Sequence, residues 1–481
     1  MKKNLKKTLA VVLAVMMLFG VTASGASADE VKRISCTMVE DGTYARGFSW
    51  YTYEDCATDL QIVKTEDFDG TFSNAKTYTG SSSKYRDQYA HKVYVYDLEA
   101  DTSYTYRTGD ASKGLWGETC TVVTDDGDDK FSFITIADVQ ASSDENFAQA
   151  ALTLKGALEV APEAGFIANL GDYVNDNTND EWDWYFKNFA FANNAYTQVP
   201  VAGNHDGNIT NKFNTNCFKN IFALDESDNQ SLEGVYYSFD YGNAHIAVLN
   251  TNDMYPMTQA QRNWLINDMK QSDATWKILM MHRSLYSAGK NINKPDTVIM
   301  RNVLLPIIDE LGIDMVYAGH DHMYLRTTQV YGDAAVENVE YVTETVNGES
   351  ITFAVNPEGT VYTLPSTAGT KRYGVNEDAM KPILEVADKA FSTSDWGGCF
   401  CVTEIDSGKL IYKAYVVDDE TQEIGLVDTY AIMKTEGNTA VDSDLDESLA
   451  STIIQYPINL IVAIVEMLAT YVKMLFDLIG G

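Results

Sequence analysis

The sequence predicts a layered α/β domain preceded by a small β-sandwich. Three observations carry this: strand-like segments with turn signals up to about Asp125, apolar runs alternating with helical stretches beyond it, and a polar residue closing each of five such runs. At 481 residues, 45% hydrophobic and 11% aromatic, the chain is long enough for more than one domain and apolar enough for large cores.

Taken in order, Lys2, Lys3, Lys6 and Lys7 precede an apolar stretch from Leu9 to Val21, and Ala26-Ser27-Ala28 suits a signal peptidase. Residues 1–28 therefore read as a secretory signal. "RGFSWYTY", "DLQIVKT", "HKVYVYDL", "SYTYRTG" and "ETCTVVT" are short strands at the spacing of a β-sandwich, which places that unit at 29–128 with "DDGDDK" as the divider. "FSFITIAD", "GFIANLGD", "QVPVAGNHD", "WKILMMH" and "IDMVYAGHDH" are buried strands, separated by helical segments such as Glu145 to Val160 and Gln259 to Lys270. Strand signals from Val330 to Thr435, among them "GTVYTLP", "CFCVTEID", "KLIYKAYVV" and "DTYAIMK", are expected to complete the second layer of the same core, giving a domain over 129–435, with a separate β module as the alternative.

Residues 436–450 form an acidic linker. In 451–481 the polar residues Asn459, Glu466, Thr470, Lys473 and Asp477 share one helical face opposite a broad apolar one. Association with a membrane surface is the favoured reading of this helix; a transmembrane tail, which Glu466 opposes, and packing on its own or another subunit stay open.

With 69 acidic and 35 basic side chains the formal net charge is −34, and loss of the signal removes four lysines and no carboxylate. That field repels phosphate backbones and excludes a general nucleic-acid binder, so positive charge at a site is expected to come from metal. Six cysteines in an exported chain permit disulfides, with the pairing open; Cys399 and Cys401 read as two residues on one face of a strand.

The polar strand ends are Asp138, Asp172, Asn204, His282, His320 and His322. Ligand sites in open α/β sheets gather at the carboxyl ends of strands, so these six are expected to converge. Carboxylate, amide oxygen and imidazole suit Zn, Mn, Fe or Ni, and six donors exceed the need of one ion. Two ions about 3.5–4 Å apart generate hydroxide at neutral pH and clamp a phosphoryl group. No Gly-x-Ser-x-Gly elbow, His-Glu-x-x-His helix or Gly-rich phosphate loop competes. His91 and His245 read as structural, "LPSTAG" (364–369) as part of the fold and not a sorting signal, and "DSDLDE" (442–447) as solvated linker and not a calcium loop.

"IADVQ", "NLGDYV", "AGNHDG", "MMHRS" and "YAGHDHMYLR" stand in the order and rough spacing of the calcineurin-like metallophosphoesterases. The N-terminal strands together with "YSFDYGNAHIAVLNTND" resemble the purple acid phosphatase branch, and the likeness covers most of residues 31–435. The resemblance implies a four-layer α/β/β/α metallophosphoesterase domain after a fibronectin III-like sandwich. It further implies a secreted or cell-surface dinuclear enzyme, monoesters favoured, in which a metal-bound hydroxide attacks phosphorus in line. By the same resemblance Asp172 bridges two divalent or mixed-valence ions (Zn, Fe or Mn). Asp138 and His322 would hold the first, Asn204, His282 and His320 the second, and His205 would contact the phosphate and protonate the leaving group.

Two positions depart from the pattern: Gln140 stands where the superfamily often has histidine, and Asn175 where purple acid phosphatases have tyrosine. Each offers an amide oxygen, as a weak ligand or as a contact just outside the metals. The histidines that purple acid phosphatases carry beyond the His282 position are also absent. Two other readings therefore stand beside a phosphomonoesterase: a phosphodiesterase or nucleotide hydrolase with the same site, and a surface binding protein with a degenerate metal site.

Overall fold

The computed structural model describes residues 30–207, 218–224, 235–252 and 257–435. The signal segment, Cys217, the acidic linker and the C-terminal helix of the sequence reading lie outside the described residues.

Two mixed sheets face each other. The first is centred on the parallel strands Lys130–Ile136, Phe166–Asn169 and Thr197–Pro200. The second runs in parallel through Ala244–Leu249, Trp276–Arg283, Met315–Gly319 and Val361–Pro365. Their apolar runs lie buried on both faces, as parallel strands require. In the second sheet the side chains divide with period two: Ile246, Val248, Ile278, Met280, Met315 and Tyr317 enter the core that also holds Phe133 and Phe166 of the first sheet. Ala247, Leu249, Leu279, Met281, Val316 and Ala318 enter a separate core with Leu265 of helix Gln259–Gln271 and Leu304 and Ile308 of helix Pro295–Leu311. Helices Asp144–Val160 and Asn179–Asn188 pack on the first sheet, so the order of layers is helix, sheet, sheet, helix.

Local sequence sets the helix starts. Ser143 accepts the Asn146 N–H ahead of the first helix, and Thr178 with Glu181 forms a reciprocal capping box ahead of the second.

The strands after Val330 divide between the sheets instead of all joining the second. Gly397–Asp406 pairs antiparallel with Lys130–Ile136 and is followed by Lys409–Asp418 and Ile424–Met433, while Val361–Pro365 and Ala387–Phe391 join the second sheet. The hairpins cover the open edge of Lys130–Ile136, whose unpaired backbone groups needed partners.

Between Lys32 and Val123 two further layers of strands enclose a core of their own, including Phe48, Trp50, Leu60, Ile62, Tyr106 and Val122. One layer is continuous with the first large sheet, because Lys32–Met38 pairs in parallel with Thr197–Pro200 at Thr37 and Gln198. Met38, Tyr51 and Ala90 accordingly belong to the large core, and buried Arg46 reaches Thr197 Oγ1 at 3.0 Å. The stretch around Asp125 is pinned as well, its Oδ2 accepting the Gly242 N–H at 3.0 Å.

The five described cysteines are free thiols, and Cys399 and Cys401 lie buried on one face of their strand. Among the described residues no helix is long and apolar enough to cross a membrane. His91 is held between Thr52 and Thr58 and stacks on Trp50, and His245 is bracketed by Asp240 and Asp268.

Candidate active site

All five motif blocks end at the carboxyl side of the two parallel sets of strands, and their loops touch. Asp138, Asp172 and His320 each adopt positive φ, 53°, 56° and 77°, an unfavourable region for L-residues that persists only where surroundings hold it. Hydrogen bonds do so here: Asp138 N–H to Gly171 O at 3.0 Å, Gln140 N–H to Asp172 O at 2.8 Å, and His320 N–H to Asp138 Oδ2 at 2.9 Å. Glycine lets the loops close, since a Cβ on Gly203 would lie 2.0 Å from Asp172 N and 2.3 Å from its Oδ1.

Three imidazoles share one device, an Nδ1–H donated to a backbone carbonyl. His282 donates to Leu170 O at 2.8 Å, His205 to Asn175 O at 2.6 Å, and His322 to Lys371 O. This fixes the tautomer and aims Nε2 away from the anchoring carbonyl. His282 Nε2 lies 3.3 Å from Asp172 Oδ1 and 3.2 Å from Asn204 Oδ1, and His322 Nε2 lies 3.4 Å from Asp138 Oδ1. His320 differs: its Nδ1 is buried with no hydrogen-bond partner. Donor atoms of Asp172, His282 and His320 all fall within 4.8 Å of one another. A cation among them would give the orphaned nitrogen its partner, so the residues fit a metal ion.

Electrostatics agree. Burial alone would raise the Asp172 carboxyl, but His282, His205 and the His205 N–H hold it below the usual range. Burial opposes charge on His282, yet Asp172 and Asp138 push its pKa up to about 9. His322 is raised against burial by Asp138, whereas burial with Arg283 and His282 keeps His320 far below the ordinary value, neutral and able to donate a lone pair. A field that holds protons on buried imidazoles equally attracts cations, and metal binding then releases those protons.

Asp138, Asp172, Asn204, His282, His320 and His322 therefore come together, with His205 beside Asp172 through its N–H at 2.7 Å. Gln140 and Asn175 take other partners: Gln140 Oε1 accepts from Lys371 Nζ at 2.9 Å, and the Asn175 amide donates to Asp176 at 2.7 Å. Asp206 is a buried residue that the sequence reading passed over. Its carboxylate accepts N–H groups from Asp172, Tyr173 and Gly203 at 2.9, 2.9 and 2.8 Å and so ties two ligand loops together. Its place directly after "NH" in "AGNHD" was the available signal. Asp321 was missed too; it accepts from Ser287 and Asn291 and anchors the loop after His282. Nothing local in the sequence marks Lys371 or Tyr373, which reach the site from "LPSTAGTKRYG" as Thr367 Oγ1 donates to Asp138 O at 2.6 Å.

Residues 131–324 match the family model of the calcineurin-like phosphoesterases. Among the proteins the chain is similar to are purple acid phosphatases. It is 25% identical over 276 residues to purple acid phosphatase 1 of Ipomoea batatas, covering 54% of this chain and 55% of the relative. Over 168 residues it is 27% identical to an uncharacterized protein of Mycobacterium tuberculosis, covering 31% of this chain and 32% of that protein. The match thus spans from about a third to somewhat over half of these relatives' length. In fold, the chain superposes on the purple acid phosphatase PPD1 of yellow lupin (Lupinus luteus) with a TM-score of 0.69 at 14% identity, over 85% of this chain and 75% of that one.

Proposed function

We propose that the protein is a secreted phosphoesterase, monoesters favoured, which binds two first-row divalent or mixed-valence metal ions. The observation that carries this is the buried, unpartnered Nδ1 of His320 among the donors of Asp172 and His282, with Asp138 and His322 continuing the cluster beyond Asp172. The likeness to purple acid phosphatases supports the reaction class, and the two layers of strands between Lys32 and Val123 support a fibronectin III-like sandwich.

Asp172, Asn204, His282 and His320 would hold one ion, and Asp138, His322 and the shared Asp172 the other. When bound, the ions acidify water at neutral pH and neutralise charge on the phosphoryl oxygens. The chain does the rest. Burial of the donors keeps the local dielectric low, so charge placed there acts strongly. The Asn175 carbonyl fixes the His205 proton on Nδ1, which leaves Nε2 to hold the proton given to the leaving oxygen. Asp206 and Gly203 keep the Asp172 and Asn204 loops in register.

Hydrolysis of 4-nitrophenyl phosphate, with and without chelator, tests the reading. Turnover lost on chelation, restored by divalent metal and absent in Asp172→Ala is expected; no turnover with Zn, Mn or Fe would refute it. The engagement of Gln140 by Lys371 favours one rival, a surface binding protein with an incomplete first metal position, and the same null result would support it.

A further inference from the structure

The net charge of −34 left metal as the expected source of positive charge at the site, but the structure adds lysines. Lys290, Lys294 and Lys371 are exposed, and none is ion-paired with a described carboxylate. They come from two loops, both fastened to the motif blocks. Asp321 holds the loop of Lys290 and Lys294 through Ser287 and Asn291. The Lys371 loop is held by Thr367 on Asp138 O and by the Ala368 N–H on Ala137 O at 2.8 Å.

Two of these lysines meet at one ring. Tyr373 stacks on His322 with centroids 4.5 Å apart and planes 16° from parallel, and the ammonium groups of Lys290 and Lys371 lie 5.8 and 5.9 Å from the Tyr373 centroid. Lys371 also donates to Gln140, whose own N–H bonds Asp172 O, so its charge sits one side chain beyond the carboxylates. From Asp138 outward the order is His322, Tyr373, then two uncompensated ammonium groups. In so acidic a chain, two unpaired cations on anchored loops concentrate positive potential beside the His322 end of the donor cluster. Lysine binds phosphate as a point charge, and the neutral amide of Gln140 leaves that charge intact.

We propose that Lys290 and Lys371, gathered around Tyr373, form a subsite for a second anionic group of the substrate, so that esters carrying two or more phosphates are preferred. This rests on the phosphoesterase reading of the adjoining cluster. One phosphate engages the donors of the buried cluster; the second meets the lysines.

The test uses the full chain loaded with Zn, titrated calorimetrically at low salt with fructose 1,6-bisphosphate and with fructose 6-phosphate, and then assayed for hydrolysis of both. The bisphosphate is expected to bind at least about tenfold more tightly, the scale of one charge-assisted contact. The paired change Lys290→Met and Lys371→Met should bring the ratio close to one, Lys→Arg at both positions should keep it, and 0.5 M salt should shrink it, as expected for exposed charges. Equal affinities in the unaltered protein, or an advantage surviving in the methionine variant, would overturn the subsite. Hydrolysis of both esters without a binding advantage sinks the subsite and leaves the phosphoesterase reading standing. A binding advantage lost with the lysines, but with neither ester turned over, does the reverse.

Discussion

At the scale of the residue, His205 and Gly203 separate chemistry from geometry. His205 donates its N–H to Asp172 and its ring is anchored by Asn175 O, so His205→Ala should spare the metal donors and slow turnover by about a hundredfold to ten-thousandfold, the usual worth of a general acid. Metal content by mass spectrometry should be unchanged; an emptied site would show His205 to be structural. Gly203→Ala should do the opposite. The added methyl group meets Asp172 N and Oδ1, and forcing the loops apart should cost about 1–3 kcal/mol and weaken metal binding. A variant with the melting temperature and metal affinity of the parent would contradict the close approach drawn here.

At the scale of the element, His245 joins strand Ala244–Leu249 to its neighbours: its ring nitrogens lie 2.7 Å from Asp240 and 2.9 Å from Asp268. Burial opposes charge, but the two carboxylates prevail and raise the pKa from the ordinary 6.5 to about 9. A pKa raised by folding stabilises the native state fully below the unfolded value and ceases to do so as pH climbs through the folded one. The melting temperature of the parent should exceed that of His245→Gln at pH 6, and the gap should close between about pH 7 and 10; a gap constant with pH would exclude an imidazolium there. The N-terminal strands offer a second test. Because Lys32–Met38 pairs with Thr197–Pro200 and Met38, Tyr51 and Ala90 enter the large core, a chain beginning at Asp129 would expose a sheet edge and part of that core. It should fail to give the cooperative melt of the full protein by circular dichroism; a parent-like melt would mean that the junction carries little stability.

At the scale of the molecule, the proposed metal centre would decide colour and metal preference. Asn175 offers no phenolate and turns its amide to Asp176, while Tyr173, next to Asp172, is buried among Trp182, Tyr185 and Phe222. Neutral amides and imidazoles with two carboxylates suit divalent Zn, Mn or Fe. The active protein should therefore be colourless and should recover after chelation with divalent metal alone. An intense visible band in the active form, abolished by replacing a tyrosine, would overturn this.

The sequence by itself determined the strands, their order and the donors closing them, because burial of a parallel strand writes an unbroken apolar run and the chemistry sits in the next few residues. Asp138, Asp172, Asn204, His282, His320 and His322 were legible for that reason. What only the tertiary structure decided depends on pairings between distant segments: the N-terminal layer continuing the large sheet, the hairpins after Gly397 joining the first sheet, Asp206 tying two loops, and Lys371 standing beside Gln140. Such contacts leave no local period or spacing in the chain. They follow from which edges and faces remain uncovered once the core has formed, and that is settled in three dimensions.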